Sequence, residues 1–271
     1  MITLHYHDET HYIDEKSLSA EERALLEKMT GTRDMPAGPE ASHLLKQIIS
    51  GSTPPPSSIQ LPARFIYIHF PKPAEEPEAL TEALFQLLPG TGHSCWLNRR
   101  ELLLLQEVNE DFEDQPVTNA VIDTLAADFY IRPSLHAGSF FRDPGEAYSW
   151  YKRELRMFRR VIEAYPKHHV FIEQELVLYY MLSSIEPEAL EEMTALLDPV
   201  REETELLRSV EMFLLCGMNI SMAAKRLFMH RNTMQYRVEK FIERTSIDIK
   251  QFQNAACVYL LLCGAQLAAE E

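Results

Sequence analysis

Eight side chains gathered within one short stretch have the chemistry to touch a nucleic acid: His230, Arg231, Asn232, Thr233, Gln235, Tyr236, Arg237 and Lys240. Arg, Asn and Gln carry donors and acceptors that match base edges in the major groove. Lys, Arg, Thr and Tyr bind phosphate oxygens, which set register without reading sequence. Met234, Val238, Phe241 and Ile242 recur at helical spacing and define an inward stripe. The same helix then points Asn232, Thr233, Tyr236 and Lys240 outward, with Arg231, Gln235, Arg237 and Arg244 on the flanks. A recognition helix meets bases mainly through its N-terminal residues. His230, Arg231, Asn232 and Thr233 are therefore assigned to bases, and Tyr236, Arg237 and Lys240 to the backbone. The competing reading is an ordinary amphipathic pair with a basic outer face, a pattern common in helical proteins.

The elements that must hold this helix lie just before it. Asn219 and Ser221 are residue types that cap helix N-termini. Met222, Ala223, Ala224 and Leu227 then make a short helix with small residues on its packing side. Phe228, Met229 and His230 connect it to the second helix, which starts near Arg231. Two short helices joined by about three residues describe a helix–turn–helix, here over residues 219–244. Arg201 to Cys216 supplies a preceding helix with Leu206, Leu207, Val210, Phe213 and Leu214 as its packing face.

The stretch NISMAAKRLFMHRNTMQYRVEKF resembles the C-terminal helix–turn–helix of the PucR/CdaR family of bacterial transcription regulators. The matching positions are Asn219, Ile220, Ser221, Ala223, Ala224, His230, Arg231, Asn232, Thr233, Met234, Tyr236 and Arg237, and the resemblance extends over residues 200–268. It also looks like the DNA-binding end of Fis. The resemblance implies a sequence-specific regulator that binds a double-stranded DNA operator as a homodimer, answers to a small-molecule effector it does not identify, and is not an enzyme.

Charge is the main objection. The chain of 271 residues carries a net charge of −15. Between Asn219 and Lys250, however, seven basic residues stand against three acidic ones, so the excess of four positive charges leaves −19 for the remainder. The acidic part repels DNA outside the site, screened over about 10 Å at ordinary salt. Such a protein is expected to bind random duplex weakly. Cys95, Cys216, Cys257 and Cys263 show no metal-binding spacing and are expected to be buried free thiols in a reducing compartment. The N-terminus MITLHYHDETHY is too polar for a secretory signal, and the late apolar run from Val258 is too short to span a bilayer. A cytoplasmic protein with no membrane partner, no cofactor and no metal is expected.

Length suggests about two domains, and the fold class expected is α+β. Residues 1–58 form a small N-terminal region with a strand or hairpin from Ile2 to Ile13, a helix opened by Ser19, another over about 40–50, and the proline-rich stretch GSTPPPSS as a linker. His5, His7 and His11 read as surface residues of a strand rather than a metal site, since no cysteine or matched carboxylates accompany them. Residues 59–184 read as an α/β domain in the order strand, helix, hairpin, helix, strand, long helix, short strand. Residues 185–271 are helical. The middle region resembles the GGDEF-like domain of PucR/CdaR regulators, most of all in the stretch from His136 to Trp150. Cyclase chemistry needs carboxylates to hold metal against triphosphate. The first strand, Ile66 to Phe70, has none, and the hairpin Leu97-Asn-Arg-Arg-Glu101 keeps only Glu101. A dimerisation or relay platform is favoured over the alternative, a nucleotide- or metabolite-binding sensor or enzyme built on this domain.

Overall fold

Aromatic and β-branched runs make strands because they fit a pleated surface buried on both sides. The computed structural model, which describes residues 2–6, 9–13, 41–108 and 118–268, is α+β as expected. Strands β1 (Ile2–Tyr6) and β2 (Glu9–Ile13) pair antiparallel, with Leu4 opposite His11. His7 and the helix expected after Ser19 lie outside the described residues.

The chain divides into two compact units, Met1–Arg156 with His168–Glu173, and Met157–Lys167 with Gln174–Glu271. In the first unit, helix α1 (His43–Ile49) buries Leu44, Leu45 and Ile48. Its entry is tied to strand β4 (Thr91–Asn98) by the Ser42 N–H, which donates to the Ser94 carbonyl at 3.0 Å. The helix stops at Gly51, whose φ of 81° is left-handed backbone that suits glycine. The proline-rich stretch is not a free tether: Pro54 is buried.

The main sheet runs in the order β4, β5 (Glu101–Glu107), β3 (Ala63–His69), β6 (Ser134–Ala137), β7 (Val170–Phe171). All neighbours are antiparallel except β6 and β7. Helices α2 (Pro77–Leu87) and α3 (Asn119–Phe129) cover one face, where Leu80, Leu84, Ile122 and Leu125 pack with Ile66, Ile68, Leu102 and Leu104. The chain then continues into helix α4 (Ala147–Ala164). On the opposite face Phe65 meets Tyr151 of α4 edge-on at 6.2 Å.

One polar cluster is enclosed on that second face. The Tyr67 hydroxyl donates to Glu154 Oε2 at 3.1 Å, and the Ser139 N–H donates to Oε1 at 2.9 Å. His136 stacks on Tyr67 and bonds the Phe171 carbonyl through Nδ1 at 3.0 Å. Glu154 thus pins the turn that leaves β6. Glycine is required there by approach rather than by φ, since a Cβ on Gly138 would sit 2.3 Å from Glu154 Oε2.

The second unit is helical: α5 (Glu173–Leu182), α6 (Pro187–Thr194), a 3-10 turn Ala195–Val200 that holds Pro199, α7 (Thr204–Leu215), α8 (Ile220–Arg226), α9 (Arg231–Thr245) and α10 (Phe252–Ala268). Helix α7 starts at Thr204 rather than Arg201 because the turn around Pro199 runs through residue 200. Of the four cysteines, Cys95, Cys216 and Cys263 are buried free thiols, but Cys257 is exposed, against expectation. It lies on a side of α10 that also exposes Phe252 and Leu260.

Burial raises the Glu154 carboxyl to about 7, although the bonds from Ser139 and Tyr67 and the charge of Arg153 pull the other way; Glu173 adds to the rise. A folded-state value above the unfolded 4.5 means that stability is lost as pH rises between about 4.5 and about 7. His136, pulled down from 6.5 to about 4 by burial, has the opposite slope and loses stability as pH falls from about 6.5 to about 4. Glu154→Gln removes only the first effect. Its melting temperature should therefore gain on the wild type between about pH 5 and about pH 8; a pH-independent difference contradicts the assignment.

Candidate nucleic-acid interface

The turn between α7 and α8 is built from two consecutive left-handed residues, Gly217 and Met218, each with φ of 62°. Asn219 then caps α8 by accepting from the Met222 N–H at 3.0 Å. Ala223 and Ala224 are buried, and their small side chains let α8 lie close against its neighbours. Phe228 follows with a left-handed φ of 52° and a ring that is 98% exposed. The backbone closes where the Met229 N–H donates to the Ala224 carbonyl at 2.9 Å. His230 caps α9, accepting from the Asn232 N–H through Nδ1 at 3.2 Å. That fixes the tautomer, leaving Nε2 as the ring's donor.

Helix α9 is oriented by its buried stripe. Met234, Val238 and Phe241 are fully enclosed among residues of α7, α8 and α10, including Val210, Phe213, Ala223 and Val258. Ile242 packs partly against them. The helix ends at Ser246, again left-handed with φ of 59°. Arg231, Asn232, Thr233 and Tyr236 consequently lie on the exposed side, Tyr236 with 63% of its surface open. None of these four side chains makes a hydrogen bond or ion pair among the described residues.

The remaining expected residues behave differently. Gln235 donates to Glu239 one turn on, at 2.5 Å. Arg237 turns towards α7, where its Nη1 donates to Ser209 Oγ at 2.6 Å and to the Glu205 carbonyl at 3.1 Å, with the Glu205 carboxylate 3.5 Å away. Lys240 bonds the Glu203 carboxylate, and Arg244 lies 3.3 Å from its other oxygen. The bond from Lys240, helped by the charge of Arg244, holds the Glu203 carboxyl below its usual range. Between Glu203, Glu205, Tyr236, Arg237 and Lys240 lies a shallow recess of about 320 Å³. The structure thus gathers His230, Arg231, Asn232, Thr233 and Tyr236 on one open surface and joins Arg237 and Lys240 to α7.

Glu203, Glu205 and Ser209 were not visible as partners in the sequence. They stand 28 to 41 positions before the residues they bind, so no local spacing links them. The only hint was the acidic run at Glu202, Glu203 and Glu205 ahead of a basic helix.

Two short helices with a capped, open polar N-terminus define a helix–turn–helix of the DNA-binding type. Residues 206–262 match the PucR C-terminal helix-turn-helix domain, so the chain carries a domain of that family. Over longer stretches the chain is 28% identical to the uncharacterized protein YxkF of Bacillus subtilis (strain 168) across 211 residues, 76% of this chain and 69% of that one. It is 41% identical across 93 residues to the proline-responsive transcriptional activator PutR of the same organism, which covers 32% of this chain and 23% of PutR. A leucine-rich protein of Streptococcus dysgalactiae subsp. equisimilis aligns at 21% identity over 94% of this chain and 89% of its own length. Among solved structures, a regulator of polyketide synthase expression from Bifidobacterium adolescentis aligns at a TM-score of 0.35 and 18% identity, over 84% of this chain and 91% of that one.

Arg237 is placed as a staple between α9 and α7. Hydrogen bonds that involve a charged group contribute roughly 1.5–3 kcal/mol, reduced here by partial exposure. Arg237→Ala should lower the unfolding free energy by about 1–2 kcal/mol, read from the denaturant midpoint. An unchanged midpoint contradicts the staple.

Proposed function

We propose that this chain is a sequence-specific transcription regulator that lays the N-terminal half of α9 in the major groove of an operator. The observation that carries the reading is the open set Arg231, Asn232, Thr233 and Tyr236, without side-chain partners among the described residues, on a helix whose opposite side is fully buried. His230, Arg231, Asn232 and Thr233 lie nearest the base edges, and Tyr236 contacts backbone. Gln235, Arg237 and Lys240 complete the face, with Arg237 and Lys240 acting chiefly through α7.

One short helix reads few bases, so two copies about 34 Å apart are required to reach successive major-groove turns. The surface proposed for the second copy is the open side of α10. From Phe252 to Ala268 this helix has no Asp, Glu, Lys or Arg, in a chain that is otherwise strongly acidic. Two like-charged copies meet there with least repulsion, over Phe252, Cys257 and Leu260. Leu260→Asp should shift the full chain from dimer to monomer by sedimentation; an unchanged mass contradicts the seam.

By role, residues 1–58, 59–184 and 185–271 are proposed as N-terminal region, sensor-like platform and DNA-binding region, responding in the cytoplasm to a small-molecule effector. The alternative, nucleotide chemistry on the platform, has little support from its hairpin. The tip presents carbonyls, those of Arg99 and Arg100, to the Ala74 and Phe70 N–H groups, both at 2.8 Å. A phosphate cradle would need donors instead. Turnover of GTP or ATP with magnesium would overturn the non-catalytic reading.

Selection of bound duplex from a random pool tests the main proposal, with an enriched half-site expected. On that duplex Asn232→Ala or Arg231→Ala should cost about 1–3 kcal/mol and relax the preference at one position. Affinity unchanged from the wild type in both variants would reject the assigned face.

A further inference from the structure

Of the seven basic residues between Asn219 and Lys250, only Lys225, Arg226 and Arg231 have no acidic partner among the described residues. These three flank the Phe228 turn, in the last turn of α8 and the first turn of α9. Those further along are paired within the protein: Arg237 with Glu205, Lys240 and Arg244 with Glu203, and Lys250 with Glu239. The positive charge available to a duplex is therefore smaller than composition suggests, and it is gathered about the Phe228 turn, beside the end of α9 that carries the base-reading side chains.

Glu203 is the centre of this arrangement. It stands at the N-terminal boundary of α7 and presents one carboxylate oxygen to Lys240 and the other to Arg244. It does not cap α7 with its side chain. A carboxylate between two cations has the chemistry a backbone phosphate would offer them.

We propose that Glu203 is a specificity-determining residue, an internal stand-in for a DNA phosphate that keeps Lys240 and Arg244 from binding the backbone of any duplex. This rests on the DNA-binding reading above. Sequence-independent affinity comes from cations that displace counterions from phosphate. A cation already neutralised by Glu203 displaces none, so the pairing lowers affinity for random duplex and leaves discrimination to Arg231, Asn232 and Thr233. The rival role, a simple staple holding α9 on α7, predicts the opposite sign: removing Glu203 would then loosen α9 and weaken binding.

The experiment measures full-chain affinity for a random-sequence duplex across a salt series, for the wild type and Glu203→Gln. Freeing two cations steepens the slope of log K against log salt by about 1.8. The variant should bind more tightly at low salt, and its advantage should shrink about tenfold between roughly 50 and 200 mM salt. In a Lys240→Gln/Arg244→Gln background, Glu203→Gln should leave the slope unchanged. An unaltered or shallower slope, or weaker binding by Glu203→Gln at low salt, overturns the inference while the DNA-binding reading stands. Failure of the wild type to bind any duplex, selected or random, overturns both.

Discussion

Everything functional in the C-terminal unit depends on the burial of one stripe, Met234, Val238 and Phe241, against α7, α8 and α10. Enclosing side chains of this size contributes roughly 1.5–3 kcal/mol each as an upper estimate. No surface ion pair on the helix approaches that sum. The stripe fixes the rotation of α9, and rotation decides which polar residues face outward. Capping then fixes where the helix begins: with His230 as the cap, Arg231, Asn232 and Thr233 occupy its first turn. Their exposure follows from packing and capping together.

Electrostatics divides that helix in two. Its N-terminal half presents Arg231 and neutral polar groups to solvent, whereas its C-terminal half gives Lys240 and Arg244 to Glu203. A strongly anionic chain can then offer DNA a small basic edge, where affinity must come largely from fit to bases. On the proposed reading the surrounding charge acts through screened repulsion and the internal pairs at contact distance, and both reduce binding that ignores sequence.

Much of this was legible in the sequence because the informative patterns were local. The periodicity of Met234, Val238 and Phe241 identified the buried side, and the outward position of Asn232, Thr233 and Tyr236 followed from the same wheel. The first strand through Ile66 to Phe70 and the hairpin at Leu97 to Glu101 likewise announce β3, β4 and β5. What the sequence hid was long-range. Helical position alone assigns Arg237 and Lys240 to the DNA backbone, and only folding brings Ser209, Glu205 and Glu203 to them. The proline-rich stretch read as a tether, yet Pro54 is buried and the helix before it is bonded to β4, contacts that composition does not reveal. Position at the start of the recognition helix assigns His230 to a base, whereas its cap on α9 emerges only from geometry.

The central claim is that the first turn of α9 reads base edges in the major groove. Methylation interference on a selected duplex tests this most directly, because guanine N7 lies in the major groove and adenine N3 in the minor. N7 methylation within each half-site should block binding by the wild type, and Arg231→Ala should lose that sensitivity at one position. Interference confined to adenine N3, or none at any half-site guanine, would contradict it.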